Sequence, residues 1–333
     1  MNKIQTRNEN DSANIDISVD LCGVRLSNPL LLASGILGSS GEMLKRVAEA
    51  GAGAVVTKTT TIDERFGHPN PSAIEPMKNV ILNAMGQPNP GCQEFAREIP
   101  VAKLGGVPVI GSIAGNTPDE FAEAASIMDR AGVDMIEINP SCPHPKRTSG
   151  ERVIGQDPAL TCEVLVAVRR KVAKPLIVKL SPNVTDIREF VRVAVECRMD
   201  AISAINTVQA LEVEPFLERP VLGNGFCGQS GPSIKYIALR KVADIALCLE
   251  GMKEKGELQK EMPIIGIGGV RYAEDVVRFM LVGAKCVQVG SSILYDDLKI
   301  FSRITSGLEK HMKAKGYSAL EDFRGNALKW LRH

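Results

Sequence analysis

One stretch of the chain, Glu137-Ile138-Asn139-Pro140-Ser141-Cys142-Pro143-His144-Pro145-Lys146, puts a thiol and an imidazole on a loop just past the end of an apolar run. Pro140, Pro143 and Pro145 exclude regular helix or central strand there. A reactive cysteine needs an accessible thiolate, and Cys142 has polar, loop-forming neighbours. The other cysteines mostly fall in apolar or helical patterns, where the residue packs as a small hydrophobe. No CxxC pair occurs among the eight, so neither an iron-sulfur cluster, a zinc site nor a disulfide framework is indicated.

A second set of candidates closes the apolar runs: Ser34, Lys58, Ser112, Asn139, Lys179, and Asn206 with Thr207. Lys58 follows Ala54-Val55-Val56-Thr57, and Lys179 follows Leu176-Ile177-Val178, so each ammonium emerges from an apolar strand. Two lysines on one rim call for an anionic or electron-rich ligand. The last two runs end in Gly268-Gly269 and Gly290-Ser291, where backbone N–H groups could approach a phosphate. A sugar phosphate and flavin mononucleotide would both satisfy that feature.

For these groups to converge, the runs they terminate must end on one face of a common scaffold. Short runs rich in Val, Ile and Leu alternate with segments of helical period, as expected of strands buried on both faces. Strands are predicted at Leu30 to Ser34, Ala54 to Lys58, Val107 to Ser112, Asp134 to Asn139, Pro175 to Leu180, Ala201 to Asn206, Pro263 to Gly268 and Lys285 to Gly290. Helices are predicted at Gly41 to Ala50, Pro118 to Ala131, Asp157 to Val172, Asp186 to Arg198, Ser233 to Leu249 and Tyr272 to Val282. Thr117 and Asp157 stand as N-caps with proline following, and Gly51, Gly132 and Gly283 as C-terminal caps. This rhythm predicts an α/β fold, a (β/α)8 TIM barrel. Two intervals, Thr59 to Gly106 and Thr207 to Pro232, are too long for plain crossovers and are expected as lid insertions at the C-terminal face of the strands. Gly251 to Glu261 reads as a solvated loop, and Ser302 to Leu331 as helix, loop and helix with Trp330 as a packing anchor.

The chain of 333 residues is read as one barrel domain, residues 15–333, behind a mobile polar tail, residues 1–14. Lys+Arg 40 against Asp+Glu 39 gives no field to draw a nucleic acid or an anionic membrane, which leaves small molecules as ligands. No signal peptide or bilayer-spanning run is present, and the scattered cysteines suit a reducing cytoplasm.

From Ile15 to about Leu294 the sequence resembles the dihydroorotate dehydrogenase family. The resemblance is carried by Ala33-Ser34-Gly35, Thr57-Lys58-Thr59-Thr60, Arg65-Phe66-Gly67, Leu82-Asn83-Ala84-Met85-Gly86 with Pro88-Asn89-Pro90-Gly91, Asn139 with Ser141-Cys142-Pro143, Val178-Lys179-Leu180-Ser181-Pro182-Asn183-Val184-Thr185-Asp186, Ile205-Asn206-Thr207 and Ser230-Gly231-Pro232. It implies an FMN enzyme that oxidises dihydroorotate to orotate in pyrimidine synthesis, most like the NAD-linked class 1B catalytic subunit. That class implies an electron-transfer subunit with FAD and a [2Fe-2S] cluster, around a homodimer core or in a heterotetramer. By the same resemblance Cys142 is the base, and Lys58 faces substrate and flavin. Asn83, Ala84, Met85, Gly86, Gln87, Asn139, His144, Asn206 and Thr207 meet the substrate. Ser34, Lys58, Thr59, Ser112, Asn139, Lys179, Ile205, Gly231, Gly268, Gly269, Gly290 and Ser291 meet FMN, with Lys179 stabilising charge on the reduced ring. Three positions depart from the family pattern: His144 replaces asparagine, Pro140 an apolar residue, and Ser112 an asparagine. His144 and Gly155-Gln156-Asp157-Pro158 are similar to dihydropyrimidine dehydrogenases, which makes reduction of uracil or thymine the alternative activity.

Overall fold

In a computed structural model, which describes residues 15–141 and 153–332, eight parallel strands close into a barrel. They are β1 (Leu30–Leu32), β2 (Ala54–Val56), β3 (Val109–Ile113), β4 (Met135–Ile138), β5 (Leu176–Leu180), β6 (Ala201–Ala204), β7 (Ile264–Ile267) and β8 (Cys286–Val289). Each pairs with its sequence neighbours, and β8 pairs with β1 through Gln288 opposite Leu31. The crossover helices are α1 (Gly41–Glu49), α2 (Pro118–Ala131), α3 (Pro158–Lys171), α4 (Ile187–Glu196), α5 (Lys235–Glu254) and α6 (Ala273–Leu281).

The caps form as their chemistry requires. Thr117 Oγ1 accepts from Glu120 N at 3.2 Å, and Asp157 Oδ1 accepts from Ala159 N at 2.9 Å. Gly51, Gly132 and Gly283 take positive φ at the helix ends, releasing the chain toward the next strand. The hairpin Val19–Leu21 and Val24–Leu26 packs beneath the N-terminal ends of the strands, with Leu21 and Leu26 buried and Cys22 Sγ 3.3 Å from the Asp200 carbonyl oxygen.

The two long insertions meet. Ala73–Met77 and Val80–Asn83 from the first join Val208–Ala210 and Cys227–Ser230 from the second in one antiparallel sheet, with Gly228 opposite Asn83. The expected lids are therefore a single sheet, held to the barrel by both insertions and carrying a small core of Leu82, Ala84 and Leu222. Further along the first insertion Cys92–Phe95 and Ile99–Lys103 are helical, the former packing on α2 and the latter on α1, with Glu98 Oε2 accepting from Gly41 N at 2.6 Å.

Three expectations need correction. Helix α5 continues to Glu254 because Met252 is buried on its inner face, so the solvated loop begins after it. The tail has one helix, α7 (Lys299–Lys315), capped by Gly316; beyond it Phe323 stacks on Tyr317, and only two single 3-10 turns form. Trp330 is 74 % exposed and anchors nothing. The expected tail, residues 1–14, lies outside the described residues.

The seal between helix ring and barrel gives a stability test. Phe279 of α6 is fully buried against β7 at Gly266, where an added Cβ would lie 2.5 Å from its ring. Phe279→Ala should lower the unfolding free energy by about 3–5 kcal/mol through lost burial and a residual cavity. An unchanged urea midpoint would contradict this packing.

Candidate active site

At the C-terminal ends of the strands a cavity of about 670 Å³ opens beneath the two-insertion sheet. Its volume falls within the range of roughly 300–1,000 Å³ usual for small-molecule sites. Polar residues from successive strands line it because each apolar run ends at about the same height. Lys58 and Thr59 follow β2, Asn139 follows β4, Lys179 lies on β5, Ile205 and Asn206 follow β6, and Gly268 with Gly269 follows β7. Ser34 lies past β1, and Gly290 with Ser291 past β8. Lys58 is fixed through its backbone: its N–H donates to Gly38 O at 2.8 Å, and a Cβ on Gly38 would sit 2.6 Å from that nitrogen.

The asparagines orient one another. Asn206 Nδ2 donates to Asn139 Oδ1 at 3.1 Å, and Asn139 Nδ2 points to Thr59 Oγ1 at 3.5 Å. Thr59 in turn shares a 2.9 Å hydrogen bond with Ser112 Oγ. Ser112 is fully buried and does not line the cavity, because its hydroxyl is turned to Thr59; it supports the wall from behind. Asn206 Oδ1 accepts from Thr207 N at 2.8 Å, and Asn183 Nδ2 donates to Thr207 O at 2.9 Å, so Asn183 is a support the sequence reading left without a role.

The sheet supplies the opposite wall. Asn83, Ala84, Met85, Gly86 and Gln87 line the cavity, as do Thr207 and Gly231. His68 proves to be structural as well as wall-forming. Its Nδ1 lies 3.1 Å from Ala84 O, its N–H donates to Met85 O at 3.0 Å, and its ring leaves no room for a Cβ on Gly86, which has φ 71°. Below this loop the buried Asn89 accepts from Thr61 N and Gly91 N and donates to Gln87 O at 2.9 Å, while Arg65 reaches Gln87 Oε1 at 3.1 Å.

Cys142 and His144 lie outside the described residues. The residues on either side of that segment, Ser141 and Val153, both line the cavity. Gly155 N donates to Pro140 O at 3.0 Å, and a Cβ at Gly155 would stand 2.9 Å from Ser141 Cα. The motif Gly155-Gln156-Asp157-Pro158 thus has a local explanation: glycine for close approach, Asp157 as N-cap and Pro158 as first residue of α3.

Sequence reasoning also missed a polar tier within the barrel. Glu137 of β4, Ser203 of β6 and Gln288 of β8 are buried side chains whose polar atoms meet: Gln288 Nε2 donates to Glu137 Oε2 at 2.7 Å and Ser203 Oγ donates to it at 3.0 Å. Lys179 Nζ sits 3.5 Å from Glu137 Oε1 and 3.3 Å from Ser34 Oγ. The available signal was a polar residue inside an apolar strand, as in Met135-Ile136-Glu137-Ile138 and Cys286-Val287-Gln288-Val289. Among the described residues, the buried side-chain atoms without a hydrogen-bond partner are Gln288 Oε1 and Ser292 Oγ, on either side of Gly290-Ser291. Several described thiols are held protonated. Burial pushes Cys22 up to about 12 and Cys92 up to about 11, and raises Cys286 further.

A family model described as dihydroorotate dehydrogenase matches residues 16–312. A relative from Pyrococcus abyssi, named dihydroorotate dehydrogenase B (NAD(+)), catalytic subunit, is 41% identical over 313 residues, 94% of this chain and 99% of its own length. Proteins with the same name from Methanosarcina mazei and Methanothermobacter thermautotrophicus are 44% and 40% identical, covering 92% and 93% of this chain and 94% and 98% of their own lengths.

The close approach at Gly155 is testable without any ligand. Gly155→Ala forces its methyl against Ser141 and Pro140, and should destabilise the protein by about 1–3 kcal/mol, as overpacking does. A melting temperature equal to that of the parent would rule out the contact.

Proposed function

The chain belongs to the dihydroorotate dehydrogenase family, and from that premise we propose that it oxidises dihydroorotate to orotate in pyrimidine biosynthesis, in the cytoplasm, with FMN as resident hydride acceptor. The observation that carries this reading is the convergence of two lysines and an asparagine ladder on one lidded cavity. FMN, when bound, takes the hydride that leaves C6 of the substrate. The donor set fits such a group. Lys58 and Lys179 supply positive charge, the glycines after β7 and β8 leave backbone close to the cavity, and the orphaned Oε1 of cavity-lining Gln288 is a hydrogen-bonding atom without a partner among the described residues.

In this reading Cys142 takes the proton from C5 as the C5–C6 double bond forms, and the cavity-lining positions of Ser141 and Val153 support delivery of that loop. Lys58 binds beside both substrate and flavin. Asn83, Asn139, Asn206 and Thr207 read the pyrimidine edge, since side-chain amides offer donor and acceptor together. The Ala84 to Gln87 backbone, held open by Asn89 and His68, receives the carboxylate. The antiparallel sheet above excludes water.

Dihydroorotate is favoured over uracil or thymine on two grounds. The relatives are named for it, and Gly155-Gln156-Asp157-Pro158 is explained by packing and capping alone. Those names also describe catalytic subunits of NAD(+)-linked enzymes. We therefore assign this chain a partner subunit with FAD and a [2Fe-2S] cluster, around a homodimer core or in a heterotetramer. Exposed Phe216, Leu217 and Phe226 on the second insertion support a docking surface beside the mouth. No helix among the described residues is long and apolar enough to cross a membrane.

The purified protein should be yellow, its flavin bleached by dihydroorotate without oxygen, and the reduced flavin should be reoxidised faster by orotate than by uracil. The reverse order of acceptors would transfer the assignment to dihydropyrimidines. Cys142→Ser should retain FMN but slow flavin reduction by about 100-fold or more, the usual scale of a lost general base. Alkylation of the native protein at pH 8, mapped by mass spectrometry, should modify Cys142 before Cys22, Cys92 or Cys286; labelling of those protonated thiols first would remove Cys142 from the mechanism.

A further inference from the structure

The interior of a (β/α)8 barrel is ordinarily filled by branched apolar side chains. Here a carboxylate stands in it. Glu137 is fully buried, does not line the cavity, and makes its polar contacts with three side chains: Lys179, Ser203 and Gln288. A buried ion pair stabilises a fold poorly compared with apolar packing, so the arrangement is better explained by what it does to the lysine. The Lys179 ammonium has three N–H groups. Glu137 Oε1 at 3.5 Å and Ser34 Oγ at 3.3 Å take two of them, leaving one for the cavity occupant. Ser203 and Gln288 hold the other carboxylate oxygen, so the carboxylate cannot swing away from the lysine.

We propose that Glu137 is a positioning residue that fixes the Lys179 ammonium at the cavity floor and offsets part of its charge, so that it sets how strongly the site stabilises negative charge on a bound flavin. The proposal rests on the FMN reading above. Lys179 supplies the stabilising cation, and Glu137 limits it. Because Glu137 lies behind Lys179 and lines no part of the cavity, its influence on a cavity occupant is indirect. The balance is one of potential rather than of affinity for the pyrimidine.

The test uses the holoenzyme of Glu137→Gln, which keeps the side-chain volume and removes the charge. Its flavin midpoint potential should become more positive, and sulfite, which adds to electron-poor flavins, should bind about tenfold or more tightly, the scale expected when a unit charge nearby goes uncompensated in a partly buried site. The KM for dihydroorotate should change little. In a Lys179→Gln background, where the buried carboxylate has lost its counter-ion and takes up a proton, the same substitution should leave potential and sulfite affinity almost unmoved. Glu137→Asp, which retains the charge at a longer reach, should shift both in the same direction by less and serves if the glutamine variant does not fold. A yellow Glu137→Gln enzyme with unchanged or more negative potential, or an equal shift without Lys179, would overturn the proposal alone. A wild-type protein that takes up no FMN would overturn it together with the flavin reading.

Discussion

Closure of eight parallel strands into a ring removes the freedom of any strand to slide past its neighbours, because a shift by one residue would turn all its side chains to the other face. The stagger therefore fixes the height of each strand end. Each strand stops near that height and a polar residue or a glycine follows, so Thr59, Asn139, Asn206 and the glycine pairs come to one level without further instruction. The same register sets Glu137, Ser203 and Gln288 within hydrogen-bonding reach from alternate strands, one tier lower. Cavity walls and charged floor are thus products of one constraint. The hydrophobic ladder supplies rigidity and the polar ends supply chemistry.

What the ring cannot supply, the insertions do. A barrel mouth is open to water, and neither insertion alone has enough strands to be stable. Pairing Gly228 with Asn83 joins them into a sheet that covers the cavity and buries Leu82, Ala84 and Leu222 beneath it. The close fit continues inward: a Cβ on Gly228 would collide with Thr207 Oγ1, so the sheet rests directly on a cavity-lining residue. A change in the lid is therefore felt at the wall.

The barrel and its rim were legible in the sequence because both depend on local signals: short Val/Ile/Leu runs, caps such as Thr117 and Asp157, and a polar residue where each run stops. The inner tier was not. Strands buried on both faces show no alternation, so nothing local says whether Glu137 faces the helices or the barrel axis. Its partners lie 42, 66 and 151 residues away and become visible only through register. The pairing of the two insertions is non-local in the same way, and the extension of α5 past Leu249 hangs on the burial of Met252 rather than on any cap. Ser112 shows a related limit. Its position in the strand was right, but its hydroxyl is taken up by Thr59.

The same physics bears on the proposal that Cys142 is the base. A thiol acts as a base only as thiolate, and burial disfavours the charged form. The described cysteines nearest the barrel illustrate the cost. Cys286, on β8 itself, is fully buried and driven upward, and Cys22 beneath the strands reaches about 12. The hydroxyl of Thr60 3.1 Å from Cys92 Sγ draws that thiol down, yet burial outweighs it and the value stays near 11. A cysteine on a barrel strand would thus remain protonated near neutral pH. Fixed cations and amides can be built into the ring, whereas a proposed thiol base is better supplied from outside the strands; the described residues that precede Cys142 in the sequence, Pro140 and Ser141, are met by Gly155.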